Sequence, residues 1–331
     1  MPEGTSPLAA PLAAPLAGLY PGQGSQAIGM ARALYEASPA ARAVLDEAEA
    51  TLPGLLDLMW EGPAEDLQAT ANQQPALVAA GAAALAAWRE AGGAAITHAA
   101  GHSLGEYTAL VAAGSLTLGD ALRLVRARGE AMQRAVPAGE GAMAAVMKLD
   151  AERIEAILDE VDGVVEIANR NSPQQTVISG SATAVADATE RLKAAGARAI
   201  PLKVSAPFHC SLMAPAAAEL APLLLATRFG DPLLPVIANV SADAINSGAD
   251  ARALLERQVT APVRWVETLR RLHALGVRRF VELGSGAVLT ALVGRTLEGV
   301  AAAAVTDPES LRAALDAFAA PPERAPDEED A

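Results

Sequence analysis

The sequence predicts an α/β fold: a large α/β-hydrolase-like domain around a mostly parallel sheet, carrying an inserted ferredoxin-like βαββαβ subdomain. Three observations predict it. Short apolar strands alternate with helical stretches along most of the chain. One strand runs into Gly101-His102-Ser103-Leu104-Gly105 and directly on into a helix. Between Ala135 and Ser205 the order becomes strand, helix, strand, strand, helix, strand, after which the first pattern resumes.

Residues 16–20 read as the first strand. Pro21-Gly22-Gln23-Gly24-Ser25-Gln26 follows, then a helix over about 27–37. A strand feeding a glycine loop and a helix is how open α/β sheets build binding sites, although this spacing matches neither a Walker nor a dinucleotide loop. Short helices fill 38–74. Pro75 suits the first position of a helix running to Ala91. Residues 95–100 form a buried strand, and Leu104 to Ala113 a helix ended by Gly114.

Between them lies a nucleophile elbow. Side chains two residues before and after Ser103 would clash with the neighbouring strand and helix, so both positions are glycine. The turn exposes the Ser103 hydroxyl at a helix N-terminus, where free N–H groups favour negative charge.

The helix over 118–135 carries two stripes. Arg123, Arg126, Glu130 and Arg134 form a solvated face with i,i+4 pairs. Ala121, Val125, Arg128 and Met132 form the other, which is otherwise apolar. Arg128 therefore stands where a core residue belongs, and a guanidinium there needs an anionic partner. Two readings stay open: an internal carboxylate or a snorkelling side chain, or the carboxylate of a substrate held by two parallel N–H···O bonds.

In the inserted segment, strands are expected at 141–147, 164–168, 176–180 and 199–204, with helices at 150–161 and 182–196 and a turn at 169–173. The large domain resumes with helices near 211–226 and 262–275, strands at 234–238 and 279–283, a glycine turn and helix, and a last strand and helix over 300–319. The expected organisation is a disordered extension at 1–15, a large domain of 16–137 and 205–318, the subdomain at 138–204, and an acidic disordered tail at 319–331.

Composition narrows the function. A net charge of −14 argues against nucleic acid as a general partner. A single cysteine, Cys210, excludes an intramolecular disulfide and a cysteine-based metal site, and four histidines make a multi-histidine centre a poor fit. No apolar run is long enough for a membrane span. The N-terminal Ala/Pro-rich stretch has Glu3 instead of a basic start and a recurring proline, which is unlike a signal peptide. A cytoplasmic setting, no metal and no bound cofactor are expected.

A serine needs a base. His98 sits in the strand before the elbow, His102 should leave the turn on the side opposite Ser103, and His273 lies in an amphipathic helix. His209, in Pro207-Phe208-His209-Cys210 at the start of a helix, is the best candidate for reaching the sheet edge. Cys210 reads as a small core residue.

Taken together, Pro-Gly-Gln-Gly-Ser-Gln at 21–26, Gly-His-Ser-Leu-Gly-Glu-Tyr at 101–107, Arg128, Asn-Ser-Pro at 171–173, His209 with Cys210 and Met213, and Pro-Val-Arg-Trp at 262–265 occur in this order. The chain over about 16–310 thereby resembles the malonyl-CoA:acyl carrier protein transacylases of fatty-acid synthesis and the related acyltransferase domains of polyketide synthases.

That resemblance implies ping-pong transfer of malonyl from coenzyme A, through a malonyl-serine, to the phosphopantetheine thiol of acyl carrier protein. It implies Ser103 as nucleophile, His209 as base, the Gln258 carbonyl orienting the histidine, and the N–H groups of Gln23 and Leu104 as oxyanion hole. Arg128 would bind the malonyl carboxylate, with Met132, Phe208 and Asn171 around the acyl group. The implied partners are malonyl-CoA and the carrier protein, the latter docking on arginines such as Arg191, Arg198, Arg278 and Arg279, and the chain acting as a monomer. The competing readings are a serine hydrolase or thioesterase, which predicts an acid behind His209, an acyltransferase for methylmalonyl or acetyl groups, and a carrier-binding scaffold with an unreactive Ser103.

Overall fold

A computed structural model describes residues 14–202, 204 and 206–319. The expected extension and tail lie outside the described residues, apart from 14, 15 and 319. The first part of the chain forms β1 (Leu16–Tyr20), α1 (Arg32–Ala37), α2 (Pro39–Thr51), α3 (Leu55–Trp60), α4 (Ala64–Gln68), α5 (Thr70–Glu90), β2 (His98–Gly101), α6 (Gly105–Ala112) and α7 (Leu118–Arg134). Next come β3 (Gly141–Met147), α8 (Ala151–Leu158), β4 (Val165–Ser172), β5 (Gln175–Ser181), α9 (Ala182–Ala194) and β6 (Arg198–Pro201). The chain ends with α10 (Ala214–Ala226), β7 (Val236–Ile237), α11 (Gly248–Gln258), α12 (Trp265–Ala274), β8 (Arg279–Leu283), α13 (Val288–Thr296), β9 (Ala301–Val305) and α14 (Pro308–Phe318).

Five strands make one parallel sheet in the order β7-β2-β1-β8-β9. β1 is central and buried at every position, as an apolar run with helices on both faces should be. Its two neighbours come from distant parts of the chain, so the strand order diverges beside it. Tyr20 pairs with Gly101, which brings the loop after β1 and the turn after β2 side by side at the strands' C-terminal ends. A crevice at such a switch point is where open sheets bind ligands.

The second sheet, β4-β5-β3-β6, is antiparallel throughout and has the ferredoxin-like order. Ile154, Ile178, Val185 and Leu192 build its separate core. It is joined to the large sheet's side by β4: Arg170 N–H donates to the Val263 carbonyl at 2.9 Å, and Val263 N–H to the Ala168 carbonyl at 2.8 Å. This is why 169–172 is strand instead of the expected turn. The backbone finds acceptors on both β5 and the segment before α12.

Two other elements differ from expectation. α1 starts at Arg32, not 27, because Gly29 and Ala31 adopt positive φ and interrupt the helix. α5 starts at Thr70, with the N–H groups of Asn72 and Gln73 bonded to the Ala69 carbonyl, so Pro75 lies within the helix instead of opening it.

Small residues set how closely the layers approach. A Cβ on Gly101 would lie 1.9 Å from the Gly105 carbonyl carbon, and one on Gly105 would lie 2.1 Å from the Tyr20 carbonyl oxygen. A Cβ on Gly129 would lie 2.6 Å from the Thr70 carbonyl oxygen. That glycine lets α7 press onto the start of α5 and carries Arg128 into the centre.

Gly105→Ala forces backbone apart at the elbow and should destabilise the protein by about 1–3 kcal/mol. Gly294→Ala, in α13 with open space around the new methyl, should stabilise it by up to about 1 kcal/mol through helix propensity. Urea unfolding of the two variants distinguishes them. Equal midpoints would contradict the crowding account.

Candidate active site

Ser103 sits at φ 51°, a left-handed conformation that a serine adopts only under constraint. Asn239 supplies part of that constraint. Its side-chain Oδ1 accepts from Ser103 N–H at 2.7 Å while its Nδ2 donates to the Gly101 carbonyl at 2.7 Å. Leu104 is the N-cap of α6, a position whose N–H has no intrahelical acceptor.

The Ser103 hydroxyl meets His209 Nε2 at 2.7 Å. His209 is likewise left-handed, at φ 60°. Its Nδ1–H donates to the Gln258 carbonyl at 2.9 Å and the Ala261 carbonyl at 3.2 Å. With that nitrogen protonated, Nε2 is the acceptor and receives the serine proton. The groups behind the imidazole are therefore neutral carbonyls. Glu166 supports the segment from the small sheet, accepting from Ser211 N–H at 3.1 Å.

Arg128 is fully buried. Its Nη2 donates to the Ser103 hydroxyl at 3.1 Å and to Gln258 Oε1 at 3.0 Å, and its Nη1 to Gln74 Oε1 at 2.9 Å. Nε has no partner among the described residues. The guanidinium also lies 5.8 Å from the centre of the Tyr107 ring. These hydrogen bonds go to neutral oxygens, and among the described residues no Asp or Glu oxygen is a partner of the guanidinium.

A carboxylate does lie nearby, one side chain removed. Glu106 is fully buried, and its Oε2 accepts from Asn239 N–H at 2.8 Å and Gln258 Nε2 at 2.9 Å. Burial pushes its carboxyl up to about 7, against the opposing pull of these donors and of Arg128. The same burial, together with the positive charge of Arg128, holds His209 down at about 3. Burial also lowers Arg128 and raises the Tyr107 phenol to about 12.

The pair faces a cleft of 810 Å³ between the two sheets, lined among others by Gln23, Asn171, Leu202 and Phe208. An adjoining cavity of 610 Å³ shares Gln23, His102, Asn171 and Leu202 and continues outward to Arg295. Gln23 is fixed by its side chain, which donates to Gln73 Oε1 at 2.6 Å. Met132 lies behind the wall, where its sulfur receives a contact from Gln74 Nε2 at 3.8 Å. His102 does not turn away as expected. Its Nε2 bonds Asn171 Oδ1 at 2.8 Å, its ring packs on Trp265 and it reaches the cleft.

Cys210 is buried, its thiol raised by desolvation. Of the two i,i+4 pairs expected on the solvated face, Glu130–Arg134 forms at 4.0 Å, whereas Arg126 donates to Asn72 in place of Glu130.

Gln74, Glu106, Asn239, Ala261 and the side chain of Gln258 escaped the sequence reading. Each acts through a single amide, carbonyl or carboxylate brought in by tertiary packing. Only Glu106, a lone acid within an apolar helix, carried a sequence signal. The arrangement supplies an acceptor for a hydroxyl proton, a serine oxygen at a helix N-terminus on the cleft wall and a buried cation beside both. It can carry acyl transfer through a serine ester.

The chain matches the acyl transferase domain family over residues 19–313. It is 49% identical over 304 residues to the malonyl CoA-acyl carrier protein transacylase of Bacillus subtilis (strain 168), covering 90% of this chain and 95% of that protein. It is 44% identical over 302 residues to the protein of that name from Escherichia coli (strain K12), covering 90% and 98%. Among solved structures, an acyl-carrier-protein-S-malonyltransferase from Bartonella henselae superposes with a TM-score of 0.89 at 45% identity, covering 92% of this chain and 99% of that one. A malonyl-transacylase solved in complex with its type II polyketide acyl-carrier protein gives the same TM-score, identity and coverage.

Because the folded-state imidazole of His209 is depressed from about 6.5 to about 3, it should stay neutral in the unliganded protein from pH 8 to pH 5. Its contribution to stability is complete above about pH 6.5 and is lost as pH falls toward 3, since the unfolded chain binds the proton first. NMR titration of the ring checks this. Arg128→Met should raise the titration midpoint. A wild-type ring that protonates near pH 6 would contradict it.

Proposed function

The chain belongs to the acyl transferase family, and from that premise we propose that it transfers malonyl from malonyl-CoA to the phosphopantetheine thiol of acyl carrier protein, supplying fatty-acid chain elongation. The observation that carries the malonyl assignment is Arg128, a buried cation 3.1 Å from the Ser103 hydroxyl and bonded only to neutral oxygens. The second reading of the sequence, an internal carboxylate directly on the guanidinium, has no support among the described residues. A carboxylate two carbons from a serine ester is the ligand this cation suits, through the planar fork that a lysine lacks.

In the proposed reaction His209 Nε2 takes the Ser103 proton as Oγ attacks the thioester carbonyl. The developing oxyanion is held by the N–H groups of Leu104 and Gln23. The C–S bond breaks, the coenzyme A thiolate takes the proton from His209, and malonyl remains on Ser103. The carrier thiol then gives its proton to His209 and attacks the ester, and Ser103 is reprotonated as it leaves. Burial and the Arg128 charge together depress His209, and arrival of the malonyl carboxylate beside Arg128 offsets the second of these. Each oxyanion donor is worth about 2.7–4 kcal/mol of transition-state stabilisation.

The remaining assignments follow from this reading. Phe208 and Asn171 border the acyl group, Met132 backs Arg128 through Gln74, and the Gln258 carbonyl orients His209. Segments 16–137 and 205–318 form the catalytic unit, with 138–204 as the subdomain closing the cleft. The substrate thioester supplies the acyl group with no further cofactor, in a cytoplasmic setting. No helix among the described residues is long and apolar enough to cross a membrane. A hydrolase is disfavoured by the carbonyls behind His209, where it would place an acid.

Arg128→Ala should cut malonyl transfer by about a hundredfold or more, consistent with loss of a charged hydrogen-bonded pair, while transfer of an uncharged acetyl group is retained or improved. Measuring both with the same carrier protein checks this. Equal loss of the two would show that Arg128 does not read the carboxylate.

A further inference from the structure

Gln258 bridges three groups that the reaction needs held still. Its side-chain Oε1 accepts from Arg128 Nη2 at 3.0 Å, its Nε2 donates to the Ser103 carbonyl at 3.1 Å, and its main-chain carbonyl accepts from His209 Nδ1–H at 2.9 Å. An amide has two ends, and Arg128, which only donates, and the Ser103 carbonyl, which only accepts, both call for the same orientation. Flipped, it would present N–H groups to the guanidinium and lose the acceptor. Glu106 reinforces that orientation and anchors the far side of the amide. Its Oε2 faces Gln258 Nε2 at 2.9 Å, and only the NH₂ end of the amide can satisfy it.

Glu106 is itself pinned. Asn239 N–H donates to the same oxygen at 2.8 Å, and Asn239 holds Ser103 N–H and the Gly101 carbonyl through its side chain. The other Glu106 oxygen has no partner among the described residues. Oε2 can therefore accept whether the carboxyl is ionised or carries its proton on Oε1. The chain of contacts runs carboxylate to amide to guanidinium, and all three groups are buried.

We propose that Glu106, acting through the side-chain amide of Gln258, is a positioning residue that aims the Arg128 guanidinium at the acyl end of a malonyl-serine and so sets the preference for a carboxylate-bearing acyl group. The relay places a carboxyl group one amide away from Arg128, without a carboxylate on the guanidinium itself. A direct ion pair would compete with the substrate for those donors, whereas the amide yields to an incoming carboxylate at the cost of one hydrogen bond to a neutral acceptor. This proposal rests on the reading that Arg128 binds the malonyl carboxylate.

The test compares Glu106→Met, Gln258→Met and the double variant, with Arg128→Ala alongside, in malonyl and acetyl transfer to the same carrier protein. Gln258→Met keeps the main-chain carbonyl that His209 uses. Each single substitution should lower the malonyl-to-acetyl ratio of kcat/KM by about tenfold, as misaimed binding groups do, chiefly through KM for malonyl-CoA. The double variant should lower the ratio no further than either single, because both break one relay. An unchanged ratio in the single variants, or effects that multiply in the double, would overturn the relay. If Glu106→Met does not fold, the ratio in Gln258→Met decides, and an unchanged ratio there overturns it equally. A malonyl-selective loss in Arg128→Ala with none in the relay variants rejects the relay alone. No malonyl-selective loss in Arg128→Ala rejects the carboxylate reading beneath it.

Discussion

The structure depends on a guanidinium buried without an ion pair. Removing a charged group from water costs several kcal/mol even after relaxation, and Arg128 recovers only hydrogen bonds to two amides and a hydroxyl. A protein that merely needed a stable core would place an apolar residue there, as the rest of that stripe does with Ala121, Val125 and Met132. The expense makes sense only if a second anion arrives during function. Glu106, close enough to lower the electrostatic cost but not to occupy the donors, is consistent with a cation kept available. Burial first, and the same charge second, hold the His209 imidazole down in the empty site.

Two strained residues meet beside this cation. Ser103 and His209 both hold left-handed φ, and such conformations cost about 1–3 kcal/mol each. They persist because their surroundings over-determine them. Glycines at 101 and 105 let backbone approach where any side chain would collide, Asn239 clamps the serine amide, and two carbonyls fix the imidazole. Neutral carbonyls in place of a buried acid suit transfer between thiols of similar energy. The ester must survive long enough to meet a carrier protein, so a weaker base is an advantage over one built for rapid hydrolysis.

Much of this was legible in the sequence. The elbow was readable because its steric demand falls on consecutive residues, and Gly101 and Gly105 can be matched to a strand and helix without knowing the fold. Arg128 was readable because helical periodicity placed it on an apolar stripe. The subdomain showed in the order of its elements. What stayed hidden has a common cause. Gln74, Gln258 and Asn239 are ordinary polar residues whose role comes from partners 54 to 155 positions away, a separation that no local pattern encodes. The strand extension at 169–172 was missed because Asn-Arg-Asn-Ser reads as a turn until Val263 supplies its pairing. The direction of His102 is set by Asn171 and Trp265, which draw the ring toward the cleft and which the tight turn beside it does not reveal.

The most direct test is a crystal structure of the malonyl-Ser103 form, obtained by soaking the unaltered protein with malonyl-CoA in the absence of carrier protein. The account predicts the distal carboxylate within hydrogen-bond distance of two Arg128 nitrogens, with the guanidinium released from Gln74 or Gln258. A serine ester whose carboxylate points into the open cleft, with all the Arg128 contacts of the empty site intact, would contradict it.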